Sequence, residues 1–525
     1  MMKNRGVFLK LILLSVLVFW SCDKKEPQKS QPNIILIYAD DLGIGMLGHE
    51  GQEIITTPNI DQLANEGMRF KNSYSSMLCA PSRASLITGK TDTHATSFEI
   101  SKAGIYKKAG QEGFSPEEIE AKINKILTPI PEDDLFLGEV AQKAGYVTAQ
   151  YGKLEWGFAA THQQMNRHGW DHYFGYLDHA RAHGFYPPYL FGNEGVVKRE
   201  GNTLINSAKS IEPETPEAFK QRWDMTGKKT YSQDIFMDSV TTFIRKNKDK
   251  PFFLYFPTQL PHGPVSIPKV HEDFINDSRL TQIEKEYASM VKLLDDNVGE
   301  IMNELKSSGI DDNTIVIFSA DNGHEIYYAK EGRIDKKYTN RYTKQRFDNY
   351  DRKYYSELAG DVFDGNGGRA GLKRSNLQGG INVPLIVRWP QKIAPKTVSK
   401  RLVAGYDILP TVAEITGFSG ELKVDGISFY NELLGNKKKV EHDYVVFSSF
   451  IGPTLITNDG WKIRYYNNKK AFNLYYLPED FKEENDLSRE HPEKYNTLKK
   501  LLLKACDGNY NNGFFKWNKI INIKE

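Results

Sequence analysis

Four stretches of the chain are apolar almost without interruption: 33–39 (NIILIYA), 251–256 (PFFLYF), 314–319 (TIVIFS) and 383–388 (VPLIVR). A strand with one wet face alternates apolar and polar residues, whereas one that is apolar throughout is covered on both faces, as when helices flank a parallel sheet. Pro384 has no N–H for a ladder, so the last run is expected to pair only beyond it. Helical periodicity fills the intervals. Ile283, Tyr287, Met290, Val291, Leu294, Val298, Ile301, Met302 and Leu305 recur at three- and four-residue steps, stopping at Gly309. Shorter helices are expected at 59–67, 134–144 and 407–416. The prediction is an α/β domain over 33–417: a large, mostly parallel sheet covered by helices on both faces. Beyond Gly417 come short strands at 444–450, 454–457, 461–466 and 474–477 and a helix at 492–505, which predict a smaller C-terminal α+β subdomain over 418–525. Residues 325–364 are charged, Tyr-rich and aperiodic, the pattern of a long loop, and such loops are often functional.

Lys and Arg total 69 against 67 Asp and Glu, a formal net charge of +2, which excludes a protein whose business is coating nucleic acid or an anionic membrane. Residues 1–21 open with Lys3, Arg5 and Lys10 and run into an apolar stretch too short to span a bilayer, so they read as an export signal. The stretch closes Val18-Phe19-Trp20-Ser21-Cys22, similar to the lipobox of bacterial lipoproteins. Cys22 would then carry the lipid, and the polar segment 22–32 would be a tether. The expectation is an exported bacterial lipoprotein, periplasmic or on the cell surface, whose only membrane attachment is its lipid. The alternative is a signal peptide cut elsewhere, with Cys22 incidental. Cys79 and Cys506, the two other cysteines, are too few and too far apart for a disulfide scaffold. Cys506 reads as a structural thiol.

In an open parallel sheet, ligands gather at the carboxyl ends of the strands. The first run ends Asp40-Asp41-Leu42-Gly43 and the third Ala320-Asp321-Asn322-Gly323. Three carboxylates and an amide oxygen suit a hard divalent cation such as calcium or magnesium, whereas zinc favours imidazole or thiolate. Asp-Asp-Leu-Gly alone suits a helix cap or turn equally well. Residues 78–90 read Leu-Cys-Ala-Pro-Ser-Arg-Ala-Ser-Leu-Ile-Thr-Gly-Lys. Pro81 can open a helix in its first turn, which puts Cys79 near an N-terminus where the dipole favours an anion. Arg83 adds a fixed positive fork one turn on.

With Cys79-Ala80-Pro81-Ser82-Arg83 and the following Ala-Ser-Leu-Ile-Thr-Gly, the chain resembles the sulfatase family, from about residue 33 to the C-terminus. Further marks stand in order: Thr57-Pro58-Asn59-Ile60-Asp61, Gly152-Lys153, Pro261-His262, Asp321-Asn322-Gly323, Lys373-Arg374, Gly379-Gly380 and Val383-Pro384. The resemblance implies that a maturing enzyme oxidises Cys79 to formylglycine, whose hydrated form is the nucleophile. It implies one calcium ion, ahead of magnesium, held by Asp40, Asp41, Asp321 and Asn322. Arg83, Lys153 and Lys373 would bind the sulfate, and His262 or Lys373 would protonate the departing alcohol.

One stretch departs from the family. Where members commonly read Gly-Lys-Trp-His-Leu-Gly, this chain reads Gly152-Lys153-Leu154-Glu155-Trp156-Gly157, so Glu155 replaces the histidine base. Either its carboxylate serves as that base, or it positions Lys153 while His162 or His168 supplies one. Gln378 and Asn382 also stand where many members have Glu and Arg. His324 lies beside Asn322, but an Asn at 322 argues for one cation. Residues 174–190 are dense in aromatics, His and Arg, which suits stacking on a sugar and pairing with anionic groups. His179, Arg181 and His183 are the substrate-binding candidates, and a packing arm is the plain alternative. The basic residues of 330–353 would suit a polyanionic glycan, but interspersed acids make a solvated loop the safer reading.

The predicted function is a sulfatase acting on galactose-type or glycosaminoglycan-derived sugars, with a sulfated glycan and the formylglycine-generating enzyme as partners and no nucleic acid. An arylsulfatase or a phosphodiester or phosphonate hydrolase on the same fold is the enzymatic alternative. From another class, an inactive glycan-binding surface lipoprotein is the alternative.

Overall fold

The computed structural model describes residues 31–95, 104–126, 134–155, 161–203, 215–328, 353–436 and 440–516. The expected signal segment, Cys22, nearly all of the tether, Trp156 and residues 329–352 lie outside the described residues.

The large sheet has ten strands: β1 (Asn33–Ala39), β2 (Met68–Tyr74), β3 (Val147–Lys153), β4 (His172–Tyr176), β5 (Tyr189–Gly192), β6 (Gly195–Lys198), β7 (Phe252–Pro257), β8 (Thr314–Ala320), β9 (Leu385–Arg388) and β10 (Thr397–Ala404). Their spatial order is β10-β2-β9-β8-β1-β7-β3-β4-β5-β6. At the centre, β1 runs parallel to both neighbours, with Ile34 opposite Phe253 on β7 and Ile315 on β8. Every residue of β1, β7 and β8 is buried. Successive β1 residues serve opposite cores: Ile34, Leu36 and Tyr38 join one cluster, and Ile35, Ile37 and Ala39 the other. Each such aliphatic side chain contributes roughly 1.5–3 kcal/mol of burial, which is why no polar residue interrupts the run.

The helices that the periodicity marks are present, and others that it does not mark, Ser232–Asn247 among them, join them. Gln282–Ser307 packs with Pro58–Glu66 and Ser232–Asn247. It starts from a capping box in which the Thr281 N–H donates to the Glu284 carboxylate at 2.7 Å. Cys79–Thr88, Leu137–Lys143 and Ile408–Thr416 pack with one another against the other core. The run at 383–388 is a strand from Leu385 onward, as Pro384 requires, but it is antiparallel to both β8 and β2. The β5–β6 hairpin adds antiparallel strands at the far edge.

Near the C-terminus, β11 (Tyr444–Phe447), β12 (Thr454–Thr457), β13 (Trp461–Tyr466) and β14 (Ala471–Tyr476) form a separate antiparallel sheet, with the helix Pro492–Ala505 against it. Ile463, Leu474, Leu498, Leu502 and Cys506 share its core, so Cys506 is a buried thiol in apolar packing. A buried ion pair at 2.7 Å joins Lys462 on β13 to Glu483, whose carboxylate also accepts the Gln378 N–H at 2.7 Å. Among the described residues no helix is long and apolar enough to cross a membrane.

Candidate active site

The parallel register sets Ala39 opposite Ala320, so the chain leaves β1 and β8 side by side, with Asp40 and Asp321 as the next residues. Asp41 turns at φ 62, and its N–H donates to Asp321 Oδ1 at 3.0 Å. Cys79 is the first residue of its helix and is 8% exposed. One turn on, Arg83 is fully buried: its Nε and Nη2 donate to Asp321 Oδ2 at 3.1 and 2.8 Å, and Nη2 lies 3.7 Å from Asp40 Oδ1. A guanidinium so deep persists because two carboxylates face it.

Two lysines close the ring. Lys153, the last residue of β3, donates to Asp40 through its Nζ. Lys373 Nζ donates to both oxygens of Asp41 at 2.6 Å. Asp41 also accepts from Asn322 Nδ2 at 2.8 Å and from the Tyr327 hydroxyl. His262, beyond the end of β7, donates from Nδ1 to the Gly263 carbonyl. A carbonyl only accepts, so that bond fixes the tautomer and leaves Nε2 as the acceptor. Nε2 lies 3.0 Å from Lys373 Nζ and 3.2 Å from the Tyr327 hydroxyl.

Burial separates the charge states. Asp40 is pushed up to about 8 by burial, with the Lys153 ammonium opposing. Asp41 is equally buried, yet Lys373 overcomes the burial and holds it below the usual carboxylate range. Burial also raises the Cys79 thiol, against the pull of Lys373 and Lys153. His262 lies well below its ordinary value, first through burial and then through Lys373 and Lys153, so it is neutral near pH 7.

The site fits a hard cation. Asp40, Cys79 and Asp321 each offer a ligand atom within 4.8 Å of the others. Asp40 Oδ1 and Asn322 Oδ1 are buried without a hydrogen-bond partner, an arrangement that a cation would complete. Asp40, His183 and His262 meet the same spacing, so imidazole as well as oxygen borders the site.

Of the substrate candidates, His179 and Arg181 sit on a short helix, His179–Ala182, and His183 follows it; Asp178 caps the helix, its Oδ1 accepting from the Ala180 N–H at 2.9 Å and the Gly104 N–H at 2.8 Å. His183 stacks on His262 with ring centroids 3.6 Å apart. Its Nε2 and both ring nitrogens of His179 are buried without partners. Both rings are held neutral, chiefly by burial; His183 is lowered further by His262 and Lys153, and His179 by Lys153 and Arg83. Arg181 is turned to Tyr189, its guanidinium 3.7 Å from the ring centroid and Nη2 donating to the Tyr189 carbonyl at 3.0 Å.

Glu155 follows β3 at φ 51, and its buried carboxylate accepts from Trp170 Nε1 at 2.8 Å and lies 3.4 Å from His168 Nδ1. His162 is bonded to Glu120 at 2.8 Å. Among the described residues, no hydrogen bond or ion pair joins Glu155, His162 or His168 to Cys79 or Lys153. His324 is bonded to the hydroxyls of Tyr328 and Tyr287, at 2.9 and 3.4 Å. Tyr327 is the member that sequence reasoning missed; it lies in the aperiodic stretch, where no motif or spacing marks it.

The sulfatase family model matches residues 32–418, and a second, N-sulphoglucosamine sulphohydrolase, C-terminal, matches residues 372–507. An N-acetylgalactosamine-6-O-sulfatase of Bacteroides thetaiotaomicron is 28% identical over 570 residues, covering 95% of this chain and 99% of that protein. The N-acetylgalactosamine-6-sulfatase of Rattus norvegicus is 28% identical over 450 residues, covering 82% and 70% respectively. Among solved structures, one from the metabolism of multiple glycosaminoglycans by Bacteroides thetaiotaomicron superposes with a TM-score of 0.66 at 24% identity, over 91% of this chain and all of that one. A sulfatase from Pseudoalteromonas sp. superposes with a TM-score of 0.58 at 21% identity, over 92% of each chain.

Proposed function

Since the chain belongs to the sulfatase family and is a sulfuric ester hydrolase, we propose that it removes sulfate from galactose-type or glycosaminoglycan-derived sugars, N-acetylgalactosamine 6-sulfate first among them. The observation that carries this reading is Cys79 at a helix N-terminus, inside a buried ring of Asp40, Asp321, Lys153 and Lys373. The names of the full-length relatives supply the sugar. Residues 1–21 and Cys22 extend the proposal to an exported, lipid-anchored enzyme that meets glycans outside the cytoplasm.

Asp40, Asp41, Asp321 and Asn322 would hold the calcium ion. When present, that ion supplies positive charge for a sulfate oxygen, and formylglycine at position 79 supplies the attacking oxygen. The chain's own groups do the rest. Arg83 fixes Asp321 through Nε and Nη2 and adds its positive charge beside the anion. Lys153 and Lys373 bind the remaining sulfate oxygens, moving from the carboxylates they now neutralise. The His262 tautomer directs the Lys373 ammonium at an unprotonated Nε2, so the proton for the departing alcohol resides on Lys373 and passes directly or through His262. Glu155 holds Trp170 and lies beside His168, a positioning role directed at neither Cys79 nor Lys153.

The test is sulfate release by enzyme co-produced with a formylglycine-generating system, across sulfated sugars, an aryl sulfate and a phosphodiester, with Cys79→Ala as blank. Release from a sulfated sugar, abolished in the blank, is expected. Rapid turnover of the aryl sulfate or phosphodiester with the sugars untouched would overturn the proposal.

A further inference from the structure

A cleft of about 590 Å³ opens between β2 and β10 of the large sheet and the β12–β13 turn of the small one, and none of the residues around Cys79 lines it. β2 is antiparallel to β9, and β9 to β8, so β2 and β8 run the same way. Two strand spacings, roughly 10 Å, separate β2 from the strand that delivers Asp321. The cleft therefore lies two strands over from β8 and shares none of the proposed active site's groups.

Three chemistries converge in it. Lys71 and Lys400 are exposed and make no ion pair among the described residues. The acids of the cleft are engaged elsewhere: Asp459 with Lys494 at 2.7 Å and Glu50 with Arg69 at 3.4 Å. Phe481 is 47% exposed, with the Arg369 guanidinium 5.7 Å from its ring centroid, a flat apolar platform next to a cation. In the wall, Gln378 is 4% exposed; its Nε2 donates to the Tyr74 hydroxyl at 3.2 Å, while its Oε1 is buried without a partner. Gln378 and Asn382 are the two positions where the sequence departs from the Glu and Arg of many family members. Here the neutral pair leaves an acceptor that lacks a donor.

A platform for a ring, a lone acceptor for a hydroxyl and two free ammonium groups for an anion together describe a sulfated sugar. We propose that this cleft is a second glycan-binding site, holding a sulfated sugar of the same oligosaccharide whose other residue is processed at Cys79. The proposal rests on the carbohydrate reading above. It makes the enzyme prefer oligosaccharides to monosaccharides.

The test uses the full chain carrying Cys79→Ala, titrated calorimetrically with the 6-sulfated monosaccharide and with a hexasaccharide containing N-acetylgalactosamine 6-sulfate. Adding Lys71→Ala and Lys400→Ala should weaken hexasaccharide binding about tenfold and flatten its salt dependence, leaving the monosaccharide unchanged. Phe481→Ala should weaken the hexasaccharide selectively as well, and unchanged Tm values show that both variants fold. In the active enzyme, the lysine variant should raise KM for the hexasaccharide with kcat unchanged. Hexasaccharide binding that ignores both variants, or that fails in the parent, overturns the cleft. If sulfated sugars are never turned over while lysine-dependent binding persists, the functional reading fails and the cleft stands; turnover with lysine-independent binding gives the reverse.

Discussion

Tyr327→Phe removes one hydroxyl and nothing else, from a residue that no motif marks. That hydroxyl donates to Asp41 and lies 3.2 Å from His262 Nε2, so it touches both the proposed cation ligand and the proposed proton path. A hydrogen bond to a buried charge is worth about 1.5–3 kcal/mol. Asp41 retains Lys373 at 2.6 Å and Asn322 at 2.8 Å, so it stays ionised and the loss falls at the lower end. About 1.5–2 kcal/mol corresponds to roughly a 10- to 30-fold fall in kcat/KM, carried mainly by kcat because the hydroxyl faces the proton path. The assay is steady-state sulfate release from the best sugar of the panel, with thermal melting alongside. A kcat/KM within about threefold of the parent, at unchanged Tm, would refute the argument that this hydroxyl holds Asp41 and His262 in working geometry.

His94 bridges Asp425 and Asp507 at 3.3 and 2.8 Å; the hydrogen bond to Asp425, then that to Asp507, raises it to about 9. Its contribution is complete below about 6.5 and is lost as pH rises through about 9. The parent should therefore lose Tm between those values, and His94→Asn should flatten that slope; because the group is half-exposed the effect is under about 1 kcal/mol, and parallel slopes would defeat it. Asp178→Ala should strand the N–H groups of Gly104, Tyr106 and Ala180, costing about 3 kcal/mol in urea unfolding and raising KM by loosening the His179–Ala182 helix; an unchanged midpoint contradicts this. Calcium at a hundred times its Kd for the parent should stabilise the protein by about 2.7 kcal/mol; at that same concentration magnesium should do less and Asn322→Ala should reduce the calcium increment, and an equal increment in the variant would remove Asn322 from the ligand set.

What was legible in the sequence follows from how completely the fold surrounds each element. β1, β7 and β8 declare themselves because every position is buried, so the apolar run and the strand coincide. β2 reads MRFKNSY and does not, since Lys71 is exposed and Arg69 and Asn72 are half-buried. Pro384 reveals where β9 begins but not its direction, because burial on two faces looks the same in either orientation. The site behaves likewise. Asp40 and Asp321 are legible as residues at strand ends, where an open sheet gathers ligands, whereas Lys153 is marked only by the family resemblance, β3 (VTAQYGK) being too polar to declare itself. The target of the Glu155 carboxylate is not, because the turn at φ 51 decides that it meets Trp170.

Asp40 and Asp41 carry the point furthest. They are identical, adjacent and equally buried, yet burial raises one while Lys373 holds the other down. Asp40 faces Lys153 across the sheet and shares Arg83 with Asp321. Asp41, turned by its positive φ, gains Lys373, Tyr327 and Asn322. A dipeptide supplies two carboxylates at a strand tip, but only the fold gives one of them enough donors to remain charged alone. The other retains a bare oxygen, which the proposed cation would complete.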